Sequence, residues 1–207
     1  VMLGGDDNDT LRGEAGNDLI FGDAGNDILI GAEDKDELHG GDGNDLLFGQ
    51  QGGDTLFGDA GNDTLWGDGG ADELHGGSGN DRLEAHGGDD IVDGGTGVDF
   101  MIGGKGSDRF VFDLTAGDSG IGAGNRDTIS DFEADGTDVI AFGGISSFSF
   151  MGDEAQAFQG SGQASGRFND ALKVLEIDAD GDQVVDMEVE LLGVLGADLD
   201  DSDFTVS

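Results

Sequence analysis

From Gly4 to Val111 the chain repeats every nine residues. The eighth position of each unit is apolar, running Leu11, Ile20, Leu29, Leu38, Leu47, Leu56, Leu65, Leu74, Leu83, Val92, Met101 and Phe110. The last three residues of a unit read as a short strand. Its middle side chain points inward, because side chains alternate across a strand. Two nines make one coil, so units n and n+2 stack on the same edge at about 4.8 Å. The pattern predicts an all-β fold of short stacked strands, twelve units long, from Gly4 to Val111.

Three further columns carry the chemistry. The first position is Gly except at Ala85, and the fourth is Gly except at Asp7 and Asp34. Glycine reaches positive φ at little steric cost, so Gly-x-x-Gly lets the first six residues curl into a tight loop with carbonyls turned inward. The sixth position is Asp throughout. Stacking sorts these aspartates into two ladders, Asp9, Asp27, Asp45, Asp63, Asp81 and Asp99 on one edge, and Asp18, Asp36, Asp54, Asp72, Asp90 and Asp108 on the other. Like charges set opposite each other repel. A divalent ion between neighbours turns that repulsion into attraction.

The composition agrees. Lys and Arg number 8 against 47 Asp and Glu, a net charge of −39. Such a chain attracts polyvalent cations and will not bind nucleic acid or an anionic membrane. A disordered acidic tail would show a similar charge, but it has no reason to keep a nine-residue register. Without cysteine there is no disulfide, thiolate zinc site or cysteine nucleophile. No apolar leader and no run long enough for a membrane span is expected. Val1-Met2-Leu3 reads as the end of an earlier strand.

The units Gly40–Phe48, Gly49–Phe57 and Gly58–Trp66 resemble the G-G-x-G-x-D-x-U-x nonapeptide of RTX calcium-binding β-rolls, which implies a right-handed parallel β-roll (a β-helix solenoid) of twelve units over residues 1–111. Calcium takes six to eight oxygens at about 2.4 Å, and two stacked loops could supply them where one could not. The resemblance implies that the first and third carbonyls and the Asp of one loop share an ion with the second and fourth carbonyls and the Asp of the loop two units on. A central site would use Gly40, Asp42 and Asp45 with Asp59, Gly61 and Asp63. The carbonyl ligands would come from Gly22-Asp23-Ala24-Gly25, Gly40-Gly41-Asp42-Gly43, Gly58-Asp59-Ala60-Gly61, Gly76-Gly77-Ser78-Gly79 and Gly94-Gly95-Thr96-Gly97. Up to about ten Ca2+ ions fit the intervals between rungs, offsetting roughly half of the net charge. Position two varies freely, since a carbonyl ligand does not depend on its side chain. Weaker sites are expected around Asp34 and around Ala85-His86.

After Phe112 the period stops, and residues 112–207 read as a β-rich cap covering the open end of the solenoid. Asn125–Phe132 and Gly136–Ile140 read as two strands around a turn. The alternation of Val185, Met187, Val189 and Leu191 with acids reads as a half-buried strand pairing with Leu172–Ile177. Asp178, Asp180 and Asp182 begin like an EF-hand loop, but Gln183 and Val189 stand where that loop needs Gly and Glu. Arg126-Asp127-x-Ile129-x-Asp131-Phe132, Gly162-Gln163, Asp180-Gly181-Asp182 and Asp203-Phe204 resemble the C-terminal region of serralysin-type secreted metalloproteases. That resemblance implies a secreted, extracellular protein, an upstream catalytic domain in the same polypeptide, and a type I exporter reading Asp203-Phe204-Thr205-Val206. Similar modules follow alginate epimerases, lyases and lipases. Short termini rarely carry much burial, so removing Asp203–Ser207 is expected to leave folding nearly intact.

No catalytic constellation is visible, so these residues are read as a calcium-dependent folding and secretion module, not an enzyme. A binding surface, adhesive or for carbohydrate or protein, is the rival reading. Ice binding would want outward threonines, whereas the seventh column mixes Thr10, Ile28, Leu46, Thr64, Arg82 and Phe100. His39 and His75 read as surface residues rather than zinc ligands. On the odd units Ile28 and Ile30, Leu46 and Phe48, then Thr64 and Trp66 point outward as an apolar strip. It serves as a self-stacked ladder, a docking face for an upstream domain or second copy, or a sugar-stacking surface on Trp66.

Overall fold

The computed structural model describes residues 1–113, 126–132, 138–143, 148–153, 164–169, 174–178, 187–192, 199 and 203–206. Each nonapeptide contributes one strand, which runs from its seventh residue into the next loop. On one side lie β1 (Met2–Gly5), β3 (Leu19–Ala24), β5 (Glu37–Asp42), β7 (Thr55–Ala60), β9 (Glu73–Gly79), β11 (Ile91–Gly97) and β13 (Arg109–Asp113). On the other lie β2 (Thr10–Ala15), β4 (Ile28–Glu33), β6 (Leu46–Gln51), β8 (Thr64–Gly69), β10 (Arg82–Gly87) and β12 (Phe100–Lys105). Neighbours within each sheet are parallel and pair residues eighteen apart, as in Leu47↔Leu65 and Leu38↔Leu56. The expected parallel β-roll is therefore the fold.

The register follows from burial. A one-residue slip would turn the eighth-position side chain out to solvent. From Ile20 to Phe110 each of those residues is fully buried, and both sheets contribute to one hydrophobic core. At the N-terminal end Met2 and Leu11 are only partly covered, and Val1 and Leu3 are exposed. The C-terminal end is closed by aromatic bulk from Phe110, Phe112, Phe132, Phe142 and Phe204.

The strands after the repeats extend the same two sheets. β14 (Asp127–Ile129) pairs with β12, while β15 (Val139–Gly143) pairs with β13. The two segments read as strands around a turn are thus strands, but they lie in different sheets, as alternate nonapeptides do. β18 (Val174–Asp178) and β19 (Met187–Leu191) pair antiparallel as expected, and β19 runs parallel to β14. Glu188 is buried among them because Arg126 donates to its Oε2 from Nε and Nη2 at 3.2 and 3.0 Å. β16 (Phe148–Asp153) and β17 (Ala164–Asn169) complete that sheet. The Asp180–Asp182 turn lies outside the described residues.

The C-terminus departs from expectation. β20 (Phe204–Val206) is the last strand of the first sheet, parallel to β15. Asp203 and Phe204 are buried, and the Phe204 ring stacks on Phe142 with centroids 6.3 Å apart. Truncation at Asp203 therefore removes part of the core, and the expectation of near-intact folding is corrected.

Candidate metal centre

Every second position of the twelve units has positive φ, whether glycine (Gly41 104°, Gly77 104°) or not (Glu14 74°, Asp23 73°, Ala32 99°, Gln50 78°, Asp59 71°, Asp68 69°, His86 77°). The column that reads as free to vary is therefore conformationally constrained. Its polar residues suit it, because Asp and similar side chains tolerate the left-handed region better than branched ones. The fourth position goes further: Gly43 and Gly61 sit at φ 144°, a region closed to other residues. A Cβ on Gly61 would also overlap the carbonyl oxygen of Gly43 in the coil before. Asp34 cannot follow. It takes φ 76°, so its loop turns differently from the glycine loops around it.

These loops carry the aspartates inward. Each backbone N–H of a sixth-position Asp donates to Oδ1 of the Asp one coil later, as in Asp27→Asp45, Asp45→Asp63 and Asp63→Asp81 at 2.7, 2.8 and 2.8 Å. The other edge repeats this, with Asp36→Asp54 and Asp54→Asp72 both at 2.8 Å. From Asp27 to Asp108 these residues are 1–3% exposed. In Asp27, Asp36, Asp45, Asp54, Asp63, Asp72, Asp81, Asp90 and Asp108 the Oδ2 atom is sealed from solvent with no hydrogen-bond partner. Leaving a carboxylate oxygen buried and unpaired is strongly unfavourable.

The protonation equilibria register the strain. Loss of solvent pushes Asp63 and Asp90 up to about 7, and Asp54, Asp81 and Asp108 up to about 6. The backbone N–H opposes this, and for all of them but Asp81 neighbouring aspartates reinforce it; for Asp63 these are Asp81, Asp45 and Asp59. Asp36, Asp45 and Asp72 shift upward for the same leading reason.

Carbonyl oxygens complete the donor set. Among the described residues no three His, Cys, Asp or Glu side chains converge on one point. An ion here must therefore take much of its shell from the backbone, which suits a hard cation with oxygen ligands. The space exists at the first glycine. A Cβ on Gly40 would lie 2.5 Å from Asp45 Oδ2 and 2.7 Å from the Gly58 carbonyl of the next coil. Position-three carbonyls are partly engaged already: Asp42 and Ala60 accept N–H bonds from Gly25 and Gly43 at 2.9 and 2.8 Å. Each keeps its second lone pair. The residues thus fit calcium: an orphaned carboxylate oxygen, a cradle that only glycine leaves open, and a carbonyl of the next coil beside it.

Several participants escaped the column reading. Asp127 Oδ1 accepts from Asp99 N–H at 2.8 Å, and Asp138 Oδ1 from Asp108 N–H at 3.0 Å, so each ladder continues past the repeats. The signal was present in the Asp-x-apolar triplets Asp127-Thr128-Ile129 and Asp138-Val139-Ile140. Asp131 accepts from the amides of Gly103 and Gly104 at 3.1 and 2.7 Å, standing in for the backbone of a further coil. A third ladder runs along position five of the odd units: Asn44 N–H donates to Asn26 Oδ1 at 2.8 Å, Asn62 to Asn44 and Asn80 to Asn62 at 2.7 Å. Its direction opposes that of the aspartates. Its period of eighteen, with Asn at position five of each odd unit from Asn8 to Asn80, was its sequence signature.

On the outer faces, Phe21, His39, Phe57 and His75 stack with centroids 4.7, 4.6 and 4.9 Å apart. Phe57 separates the two imidazoles, which face different acids: His39 meets Glu37 at 2.9 Å, and His75 meets Glu73 at 3.1 Å and Asp93 at 3.4 Å. The hydrogen bond to Asp93, more than that to Glu73, raises the His75 pKa against the opposing effect of burial. On the other sheet Ile28, Ile30, Leu46, Phe48, Thr64 and Trp66 are adjacent in register, and Leu46 is 36% exposed. Phe48 and Trp66 stack at 4.6 Å and 9°, so each covers one ring face of the other.

Comparison with known proteins identifies the repeat. The RTX calcium-binding nonapeptide repeat (four copies) matches residues 3–38, 23–56, 30–65, 39–74, 48–83 and 75–110. No curated protein matches the chain. Among solved structures it is similar to the AlgE6R2 subunit of the Azotobacter vinelandii mannuronan C5-epimerase, at 25% identity over 80% of this chain and 89% of that one, with a TM-score of 0.44. The AlgE6R3 subunit of that epimerase is 28% identical over 84% and 80%, with a TM-score of 0.31.

Proposed function

Because the chain belongs to the RTX calcium-binding nonapeptide-repeat family, we propose that it is a module whose folding is driven by calcium, binding up to one ion per interval of its two aspartate ladders. The observation that carries this is the row of sealed, unpartnered Asp Oδ2 atoms. Without a cation, folding must bury charge beside charge, and unfolding relieves it. Extracellular calcium modules bind at about 10⁻⁴ to 10⁻³ M, so a calcium-poor cytosol leaves such a chain unfolded and a calcium-rich exterior folds it. Binding free energy then is folding free energy.

The same reading makes residues 1–111 the roll and 112–207 the cap of a type I secreted protein, supporting an upstream enzyme of serralysin or polysaccharide-modifying type. Asp203 to Val206 act as the exporter signal, which the unfolded chain displays and the folded chain covers at Asp203 and Phe204. The test is far-UV circular dichroism in EDTA and then in millimolar calcium. A cooperative gain of β signal is expected; a strong β signal already present in EDTA at neutral pH would refute the reading.

An extracellular binding surface is the second reading. It is favoured by a shallow groove of about 430 Å³ beside the roll, lined by Phe21, His39, Gly41 and the carboxylates Asp23, Asp42 and Asp59. The Ile28, Ile30, Leu46, Phe48 and Trp66 strip is the matching docking face on the other sheet. A Phe48→Ser, Trp66→Ser double variant that folds with calcium yet binds no worse than the unmodified chain removes that face from consideration.

A further inference from the structure

The Asp-x-apolar triplet at positions six to eight of each nonapeptide recurs after the period has stopped, among other places at Asp127-Thr128-Ile129 and Asp138-Val139-Ile140. The fold sets both where a further unit would stand. Thr128 N–H donates to the Asp99 carbonyl and Val139 N–H to the Asp108 carbonyl, each at 2.8 Å, matching Phe100 to Asp81 at 2.9 Å and Arg109 to Asp90 at 2.8 Å within the repeats. The side-chain rung is reproduced as well. Asp99 to Asp127 measures 2.8 Å and Asp108 to Asp138 3.0 Å, against 2.8 Å for Asp81 to Asp99.

Burial follows the same rule. Asp127 is 0% and Asp138 3% exposed, and Ile129 and Ile140 are fully buried beneath them as Met101 and Phe110 are one coil earlier. Only the spacing differs, 28 and 30 residues instead of 18. That difference hides the rungs from a search by period. Asp108, one wall of the second interval, has its Oδ2 sealed and unpartnered like the carboxylates inside the roll. On the first edge the next residue in register after Asp127 is Val189, which offers no side-chain oxygen, so that ladder ends there.

The geometry points to two divalent-cation sites beyond the nonapeptides, one between Asp99 and Asp127 and one between Asp108 and Asp138. Each takes a carboxylate from either side and backbone carbonyls from the last repeat loops, 94–97 and 103–106. This rests on the calcium reading given above and adds a consequence to it. Ions at these intervals tie β14 and β15 to the roll, so the strands after the repeats dock in the same calcium-dependent step that stacks the coils. Asp131, held by the Gly103 and Gly104 amides, keeps the last loop closed for that purpose.

The experiment counts calcium bound at saturation by equilibrium dialysis, using the full chain, Asp127→Asn, Asp138→Asn and the double variant. Asparagine keeps an acceptor for the amide and removes the charge. One ion fewer is expected in each single variant and two fewer in the double; unchanged counts in both single variants overturn the inference. Anomalous scattering from crystals of the unmodified chain grown with calcium does not depend on how the variants fold. Peaks beside Asp127 and Asp138 support the two sites, whereas peaks confined to the rungs from Asp9 to Asp108 overturn them. Peaks at no rung would instead remove the calcium reading itself.

Discussion

Asp63→Asn should change sign with calcium. Asp63 is 2% exposed, its Oδ1 accepts the Asp45 amide at 2.8 Å, and its Oδ2 has no partner. Asparagine preserves the first contact, removes the charge, and turns the orphaned acceptor into an NH2 donor beside inward carbonyls. Desolvation and the neighbouring aspartates push the Asp63 carboxyl up to about 7. From an unfolded value near 4, at about 1.4 kcal/mol per tenfold change in proton affinity, that corresponds to at most about 4 kcal/mol. Screening by the surrounding polar backbone roughly halves it, leaving about 2 kcal/mol. The folded pKa lies above the unfolded one, so this contribution is fully present below about pH 4 and is lost as pH rises through about 7. In EGTA at pH 7.5 the variant should therefore be about 2 kcal/mol more stable than the unmodified chain, and at pH 4.5 nearly equal to it. In millimolar calcium the order reverses, because a charged ligand is gone and about 1.5–3 kcal/mol goes with it. Far-UV circular dichroism during pH titration in EGTA, and during calcium titration at pH 7.5, reads both arms. In EGTA the gain is read as a folding midpoint at higher pH than the parent's; a midpoint at lower pH would show that the buried carboxylate is not the element that calcium neutralises.

Four further outcomes follow from particular backbone angles and contacts. Ala32→Gly should raise the urea-unfolding free energy in calcium by about 1 kcal/mol, since Ala32 sits at φ 99° and relief of that strain outweighs the entropy of glycine. Gly61→Ala should lower the thermal midpoint sharply, by more than about 3 kcal/mol in stability, because its Cβ would overlap the Gly43 carbonyl. Gly69→Ala, whose Cβ meets only the Gln50 carbonyl at 3.8 Å, should be near neutral. Phe204→Ala should lose about 3 kcal/mol or more at saturating calcium, as a ring 8% exposed and packed on Phe142 leaves a cavity; an unchanged denaturation midpoint would restore the view of the terminus as a dispensable tail.

The repeat sequence by itself determined the roll. One apolar residue in nine, two glycines and an aspartate at constant offsets leave little freedom, because any slip exposes the Leu47 and Leu65 row and opposes unlike positions. It also placed the two aspartate ladders correctly as far as Asp99 and Asp108, since identical spacing means identical stacking. Tertiary structure alone decided three things. It showed that the second position is left-handed in every loop, which no side-chain column displays, because φ is set by the closing of the loop and not by the residue that occupies it. It continued the ladders to Asp127 and Asp138, where the connecting chain lengthens but the next coil still offers an amide to be met. And it drew Phe204 into the core, because the last coil of a solenoid leaves apolar surface uncovered and whatever strand can reach that edge in register will pair with it.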